Sequence, residues 1–215
     1  MSDGDAPVGV RLNALLVSGG MEPLEAAQTS QFEKYLALLL RWNARTNLTA
    51  VRDEDGILAR HFVESIACAR ALPAGIETLL DFGSGGGFPG IPIALCRPEI
   101  DVTLAEAQGK KAAFLLEAVR VLGVPVHVYA GRAELLKMKY KCITLRAVDR
   151  MDEAVEAASR LVAPGGWLAV MTTDGDLGRL QTRPGAGFSW EDPISMPGGA
   201  ERLLALGQLT TSSQA

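Results

Sequence analysis

Only three cysteines occur in 215 residues, Cys68, Cys96 and Cys142. They are odd in number and scattered, with no CxxC pair, which excludes a disulfide framework and a cysteine-built zinc site. A reducing, cytoplasmic setting is expected. An excess of positive charge is also missing: 21 Lys and Arg stand against 25 Asp and Glu, a net charge of −4. That argues against a long nucleic-acid groove and leaves room for a local basic face. No uninterrupted apolar run approaches the roughly 20 residues a membrane span needs. The first residues, Met1 to Pro7, are acidic and contain glycine, unlike a secretory signal. Internal repeats and low-complexity tracts are lacking as well. What the chain does have is length and 48% hydrophobic residues. A chain of this size buries roughly 70% of its unfolded surface, enough for one sizeable core with an appendage.

The pattern changes near residue 76. Before it, Phe32, Tyr35, Leu36, Leu39 and Leu40 recur at helical spacing. Leu58, Phe62, Ile66 and Ala69 form a second apolar stripe, with Asp53 as its N-cap. A polar linker, Asn43 to Arg52, separates them. Residues 1–75 are therefore expected to form a helical cap. From Glu77, short apolar runs alternate with longer helical ones. Strands are predicted near 78–82, 101–105, 126–130, 141–146 and 166–172, and helices near 90–96, 109–122 and 151–162. Such alternation implies parallel strands with helical crossovers in an α/β fold over 76–215, folded with the cap as one unit. Two loop signals, Pro184-Gly185-Ala186-Gly187 and Pro197-Gly198-Gly199, bracket Phe188 to Met196. With the last run, Arg202 to Leu206, they predict an antiparallel hairpin at one sheet edge.

The densest signal is Leu79-Leu80-Asp81-Phe82-Gly83-Ser84-Gly85-Gly86-Gly87-Phe88-Pro89-Gly90. A strand enters a glycine turn and then a helix start, a backbone that a nucleotide-like ligand can approach closely. Two templates compete. Gly85, Gly87 and Gly90 satisfy GxGxxG, the pattern of a dinucleotide site. Gly83, Gly85 and Gly87 satisfy GxGxG with Asp81 two residues ahead, which suits S-adenosylmethionine. That ligand carries no diphosphate, and a carboxylate such as Asp81 would face its positive sulfonium and amino groups. Glu106 closes the second strand, where a carboxylate would accept hydrogen bonds from ribose hydroxyls of either ligand. Gly131-Arg132-Ala133-Glu134 and Arg146-Ala147 follow the third and fourth strands, at the same carboxyl edge of the sheet. The first either brackets an adenine ring or is an ordinary turn. Arg146 either salt-bridges a neighbouring acid or contacts cofactor or substrate.

Other residues divide between chemistry and packing. Lys110 and Lys111 begin a helix, as a solvated face or as phosphate contacts. Arg41, Arg45, Arg52 and Arg60 cluster in the cap and, with the two lysines, either form one basic face or are solvated helix charge. Trp42 ends an apolar stripe and is assigned to the core, as is Cys142. His127 lies within a predicted strand as a structural residue. His61 follows Arg60 on a helix, facing the pocket or packing inside.

Taken in order, Arg41-Trp42-Asn43, Asn47-Leu48-Thr49, Arg60-His61, Glu64-Ser65, the Asp81–Gly90 loop, Lys110-Lys111, Arg132-Ala133-Glu134 and Arg146-Ala147 resemble the bacterial small-subunit (16S) rRNA guanine-N7 methyltransferases. That family is also called glucose-inhibited division protein B. The resemblance runs from about residue 10 to residue 207. It implies a class I S-adenosylmethionine-dependent methyltransferase fold, Rossmann-like, with a mostly parallel doubly wound sheet, an antiparallel C-terminal hairpin and an N-terminal helical cap. It implies methyl transfer to N7 of one guanine in the RNA of the small (30S) subunit, by a cytoplasmic monomer without membrane partners. It assigns cofactor contacts to Gly83, Phe88, Ala133, Glu134 and Arg146, with Glu106 on the ribose, beside Asp81 and Gly85 of the loop. On the substrate side it sets Asn47, Arg60, His61 and Arg146, joined by Arg41, Lys110, Lys111 and Arg202 as cations. Arg146 and His61 are the candidates for the catalytic centre.

This chain departs from the family in three places. Glu64 stands where Asp is usual, Lys141 where an acid usually opens the fourth strand, and Thr172 where a lysine usually follows the fifth. The last change sustains a rival reading, a binding protein that kept the fold and lost activity. The other rival is a nicotinamide-dependent oxidoreductase, which rests on the GxGxxG match alone. N7 of guanine carries an in-plane lone pair and no proton, so the transfer asks for positioning and not for a base.

Overall fold

Helical spacing in the first part of the chain builds the expected cap. Of the computed structural model, residues 6–148, 150–181, 187–197, 199 and 201–210 are described. Helix α1 spans Val8–Ser18 and α2 spans Ala26–Asn43. The second stripe folds as one run in three parts: α3 at Glu54–Ile57, a wider π-helical stretch at Leu58–Val63, and α4 at Glu64–Ala71. Asp53 caps it as predicted, its Oδ1 accepting from the Gly56 amide at 2.6 Å.

The rest is a sheet with helical crossovers. The strands are β1 Thr78–Phe82, β2 Asp101–Ala105, β3 His127–Tyr129, β4 Tyr140–Arg146, β5 Val162–Thr173, β6 Phe188–Trp190, β7 Ile194–Ser195 and β8 Arg202–Leu209. Between them lie α5 Gly90–Cys96, α6 Gly109–Leu122, α7 Met151–Ser159 and α8 Asp174–Gln181. The order is β3-β2-β1-β4-β5-β8-β6, and β7 also pairs with β8. The first five strands are parallel, and β8 runs antiparallel to β5.

Several boundaries differ from the sequence reading. The helix predicted to 162 stops at Ser159, because Val162 already pairs with Tyr140 through an irregularity in the ladder. Strand β5 thus runs through Pro164-Gly165-Gly166, which looks like a turn in the sequence. The expected edge hairpin is β8 with two short strands laid on it, so β8 lies inside the sheet and β6 forms the edge. Helix α8 was not foreseen. His127 starts β3 at its exposed end, 3.5 Å from Asp101, and is not interior. Of the loop signals, 184–186 and 198 lie outside the described residues.

Strand alternation sorts the core into two layers. Leu79, Val102, Leu104 and Cys142 face the cap, α5 and α6, in one cluster with Leu12, Phe32, Tyr35 and Phe62. Leu80, Phe82, Ile143 and Leu145 face α7 and α8. The same alternation puts Asp81, Thr144 and Arg146 on the cap side. Polar ties hold the cap to α5 and α6: Gln28 Nε2 donates to the Leu95 carbonyl and Gln31 Nε2 to the Leu122 carbonyl, each at 3.2 Å. Trp42 packs edge-on against Phe114 and donates from its indole to Glu117 at 2.9 Å, a core role as expected.

Phe62 is fully buried among the rings of Phe32, Tyr35 and Phe88, with centroids 5.2 to 5.8 Å away. Phe62→Ala removes a ring that packs the cap against the loop after β1. Urea denaturation is expected to show a loss of about 3–5 kcal/mol.

Candidate functional site

The turn after β1 is pinned at nearly every polar group. The amides of Gly83 and Ser84 both donate to the Ala105 carbonyl at 3.0 Å. The Gly87 amide donates to the Ser84 carbonyl, and the Tyr35 hydroxyl donates to the carbonyl of Gly86. Gly85 sits at φ +56, and a Cβ there would meet no protein atom nearer than 3.9 Å. The space beside it belongs to a cavity of about 600 Å³ at the carboxyl ends of β1, β2 and β4. That volume falls within the roughly 300–1,000 Å³ usual for small-molecule sites.

Glu106 is the cavity's anchored carboxylate. It is 6% exposed, and its Oε2 accepts from the Gly85 amide at 2.9 Å while Oε1 accepts from the Gln108 amide at 2.7 Å. Each oxygen keeps a second lone pair for a hydroxyl donor. Gly83, Phe88, Ala133, Glu134 and Arg146 also line this cavity, so the structure brings the expected cofactor residues together. Glu134 stands at the rim, exposed and paired with Arg132 at 3.1 Å.

Asp81 requires a correction. It was expected to face a sulfonium, yet it is 1% exposed and does not line the cavity. Its Oδ1 accepts from the Thr144 hydroxyl at 2.9 Å and its Oδ2 from the Gly90 amide at 3.2 Å. Burial raises its pKa to about 6, against those hydrogen bonds and the Arg146 charge. The residue braces the turn from behind. A Cβ on Gly90 would come within 2.3 Å of Leu104, so α5 packs directly on the sheet. The same bond weakens the dinucleotide reading. The amide at the start of α5 is already donated to Asp81, where a diphosphate would have required it.

The opposite wall is built around Arg146. Its side chain is 10% exposed. Nη1 donates to Ser65 Oγ at 3.2 Å; Nη2 donates to Glu64 Oε2 at 2.7 Å, to His61 Nδ1 at 3.1 Å and to the Arg60 carbonyl. The guanidinium also lies 6.0 Å from the Phe88 ring centroid. Arginine only donates, so His61 Nδ1 accepts and its proton sits on Nε2, directed at Thr49 Oγ1. His61 stacks on Phe88 at 4.8 Å between ring centroids. Burial, then the charges of Arg146, Arg60 and Arg202, lowers its pKa to about 3. It lines the cavity as a neutral ring.

The candidate RNA residues are spread more widely. Arg60 and Lys111 line the cavity. Lys110 is exposed at the start of α6. Arg41 lies on α2, paired with Glu117 at 2.5 Å. Asn47 accepts from Arg52 at 2.6 Å. Arg202 bonds Glu64 at 2.9 and 3.1 Å and does not line the cavity. Lys141 is exposed at the start of β4. Thr172 lines a neighbouring cavity of about 370 Å³ together with Arg150 and Arg179, each paired with a carboxylate of the same cavity, Glu153 and Asp176. Sequence reasoning missed the role of Tyr35, whose stripe position marked it as core, and of Glu64, whose partners are 82 and 138 residues away.

A family model described as rRNA small subunit methyltransferase G matches residues 28–184. The chain is similar to the ribosomal RNA small subunit methyltransferase G of Roseiflexus sp. (strain RS-1), 37% identical over 200 residues, covering 85% of this chain and 84% of that protein. It is 41% identical over 171 residues to the protein of that name from Xanthomonas euvesicatoria pv. vesicatoria (strain 85-10), covering 78% and 80%. Among solved structures, P. horikoshii TYW2 in complex with MeSAdo superposes with a TM-score of 0.57 at 16% identity, over 70% of this chain and 63% of that one. M. jannaschii TYW2 in complex with AdoMet gives 0.56 at 12% identity, over 69% and 75%. These structures establish the fold, that of class I methyltransferases.

Two outcomes test the site. Gly85→Val puts a branched side chain into the open space and strains a positive φ, so calorimetric titration is expected to show loss of S-adenosylmethionine binding. His61 is neutral in the fold to about pH 3, while the unfolded chain takes up its proton near 6.5. Its contribution to stability is therefore complete above pH 6.5 and declines as pH falls below it. The gap in urea midpoint between wild type and His61→Gln should narrow on acidification across that range.

Proposed function

The chain belongs to the rRNA small subunit methyltransferase G family, and from that membership we propose that it methylates N7 of one guanine in small-subunit ribosomal RNA, using S-adenosylmethionine. The observation that carries the reading is the pinned glycine turn facing Glu106, whose oxygens are fixed by two backbone amides and keep lone pairs for a ribose. The residues suit the cofactor: an open Gly83–Gly85 edge, a carboxylate for two hydroxyls, and Ala133 beside the space for a flat ring. S-adenosylmethionine supplies an electrophilic methyl group on a sulfonium.

The protein's own part is positioning. Gly83, Gly85, Glu106, Ala133 and Glu134 would hold the nucleoside end of the cofactor, with Phe88 and Arg146 along the wall next to the cap. Arg60, His61 and Asn47 would meet the target base from the cap, and Arg41, Lys110 and Lys111 the phosphates around it, while Arg202 stays engaged with Glu64. No proton has to leave N7, and His61, held neutral with Nδ1 occupied by Arg146, suits a site that needs no base. The nicotinamide reading is not favoured, since the family is one of methyltransferases.

We propose further that the protein acts as a cytoplasmic monomer. Among the described residues no helix is long and apolar enough to cross a membrane. The cap of residues 1–75 and the core of 76–215 would fold together, because Phe32, Tyr35 and Phe62 share one cluster with Leu79 and Leu104.

The deciding experiment incubates the protein with methyl-labelled S-adenosylmethionine and small subunits from cells that lack the modification. Label at one guanine N7 is expected. Cofactor binding without label in RNA would favour the binding-only reading, and tighter binding of NAD would overturn the assignment.

A further inference from the structure

Glu64 is 2% exposed and does not line the cavity, yet it is the carboxylate on which the cap-side wall converges. Its Oε2 accepts from Arg146 at 2.7 Å and from Arg202 at 3.1 Å, and its Oε1 accepts from Arg202 at 2.9 Å. Arg146 ends β4 and Arg202 begins β8, so one cap residue joins two separate strands of the sheet. The π-helical stretch Leu58–Val63 ends immediately before it. Beyond that wider turn, Glu64 and Ser65 reach Arg146 together with His61 and the Arg60 carbonyl. A π-helical segment in a helical run frequently marks a functional position.

The charges explain what this carboxylate does. Burial raises the Glu64 pKa, and the charges of Arg146, Arg202 and Arg60 oppose that shift; burial and the same three arginines lower the pKa of His61. With His61 neutral, Glu64 is their counter-charge. Without it, the Arg146 and Arg202 guanidiniums would repel each other. Arg146 would then be driven toward the cavity it borders. Resting on the methyltransferase reading above, we infer that Glu64 is the positioning residue for methyl transfer: by holding Arg146 against the cap it sets the wall that the cofactor and the target base share. It acts through Arg146 and touches neither ligand.

The test is a double-mutant cycle read in the transfer assay, with cofactor affinity measured separately by calorimetry. Glu64→Gln keeps the side chain's shape and removes its charge. It is expected to lower kcat on the order of tenfold to a hundredfold, the scale of a misplacement near 1 Å. Glu64→Asp, which keeps the charge, is expected to retain at least a third of wild-type kcat. In an Arg146→Gln background, Glu64→Gln should change kcat less than twofold, because the residue it serves is gone. Wild-type kcat in Glu64→Gln, an Asp variant as impaired as Gln, or effects that multiply in the double variant would each overturn the proposal. Should Glu64→Gln alone fail to fold, the double variant, which removes both charges of the buried pair, is compared with Arg146→Gln: equal kcat supports the proposal and a further fall overturns it. Wild-type protein that neither binds S-adenosylmethionine nor labels RNA would overturn the reading of the cavity instead.

Discussion

A buried guanidinium governs the architecture of this site. Arg146 brings a permanent charge to the end of β4, on the face that Cys142 and Thr144 turn toward the cap. Such a charge is tolerated only when its donors are met, and breaking a buried pair by removing one partner costs about 3–5 kcal/mol. Every hydrogen-bond acceptor shown for Arg146 comes from the cap, between Arg60 and Ser65. The sheet alone therefore cannot complete this wall. Docking of the cap is at once a packing event, through Phe62, and an electrostatic one, through Glu64.

The opposite wall obeys a different rule. There the backbone is held still by its own hydrogen bonds, with Ala105, Ser84 and Glu106 taking the amides of the glycine turn and Tyr35 taking one of its carbonyls. A turn fixed in advance loses little conformational entropy when a ligand arrives. The two carboxylates near it have separate tasks. Glu106 accepts from the turn at Gly85 and from the Gln108 amide, and keeps one lone pair on each oxygen for a ligand. Asp81 spends its capacity inward, on Thr144 and Gly90, and makes the close packing of α5 possible.

How much of this was legible in the chain depends on range. The glycine turn and the strands before it were readable because period-two alternation and glycine spacing are local signals, and α5 and α6 matched for the same reason. Glu106 was readable from its place at a strand end. Asp81 was misassigned because a strand-end carboxylate can point along the sheet or into the ligand space, and only the position of Thr144 and of the α5 amide decides. Strand β5 was cut short because Pro164-Gly165-Gly166 has turn chemistry, and its pairing was fixed by Tyr140, more than 20 residues away. Glu64 was visible only as a departure from a pattern. Its importance arises from two arginines brought to it by the tertiary fold, and no local spacing encodes that.

The electrostatics of the rim bear on the RNA contacts proposed above. The chain is acidic overall, yet cations gather where cap and sheet edge meet. Several hold exposed carboxylates: Arg41 with Glu117, Arg132 with Glu134, Arg150 with Glu153. Exposed pairs of this kind contribute roughly 0–1 kcal/mol each, so exchanging a carboxylate for an RNA phosphate costs little. The Glu64 pairs differ, because burial makes them expensive to open. The molecule thus separates adaptable surface cations, free to follow a large folded RNA, from a fixed internal set that keeps the transfer geometry constant while they do.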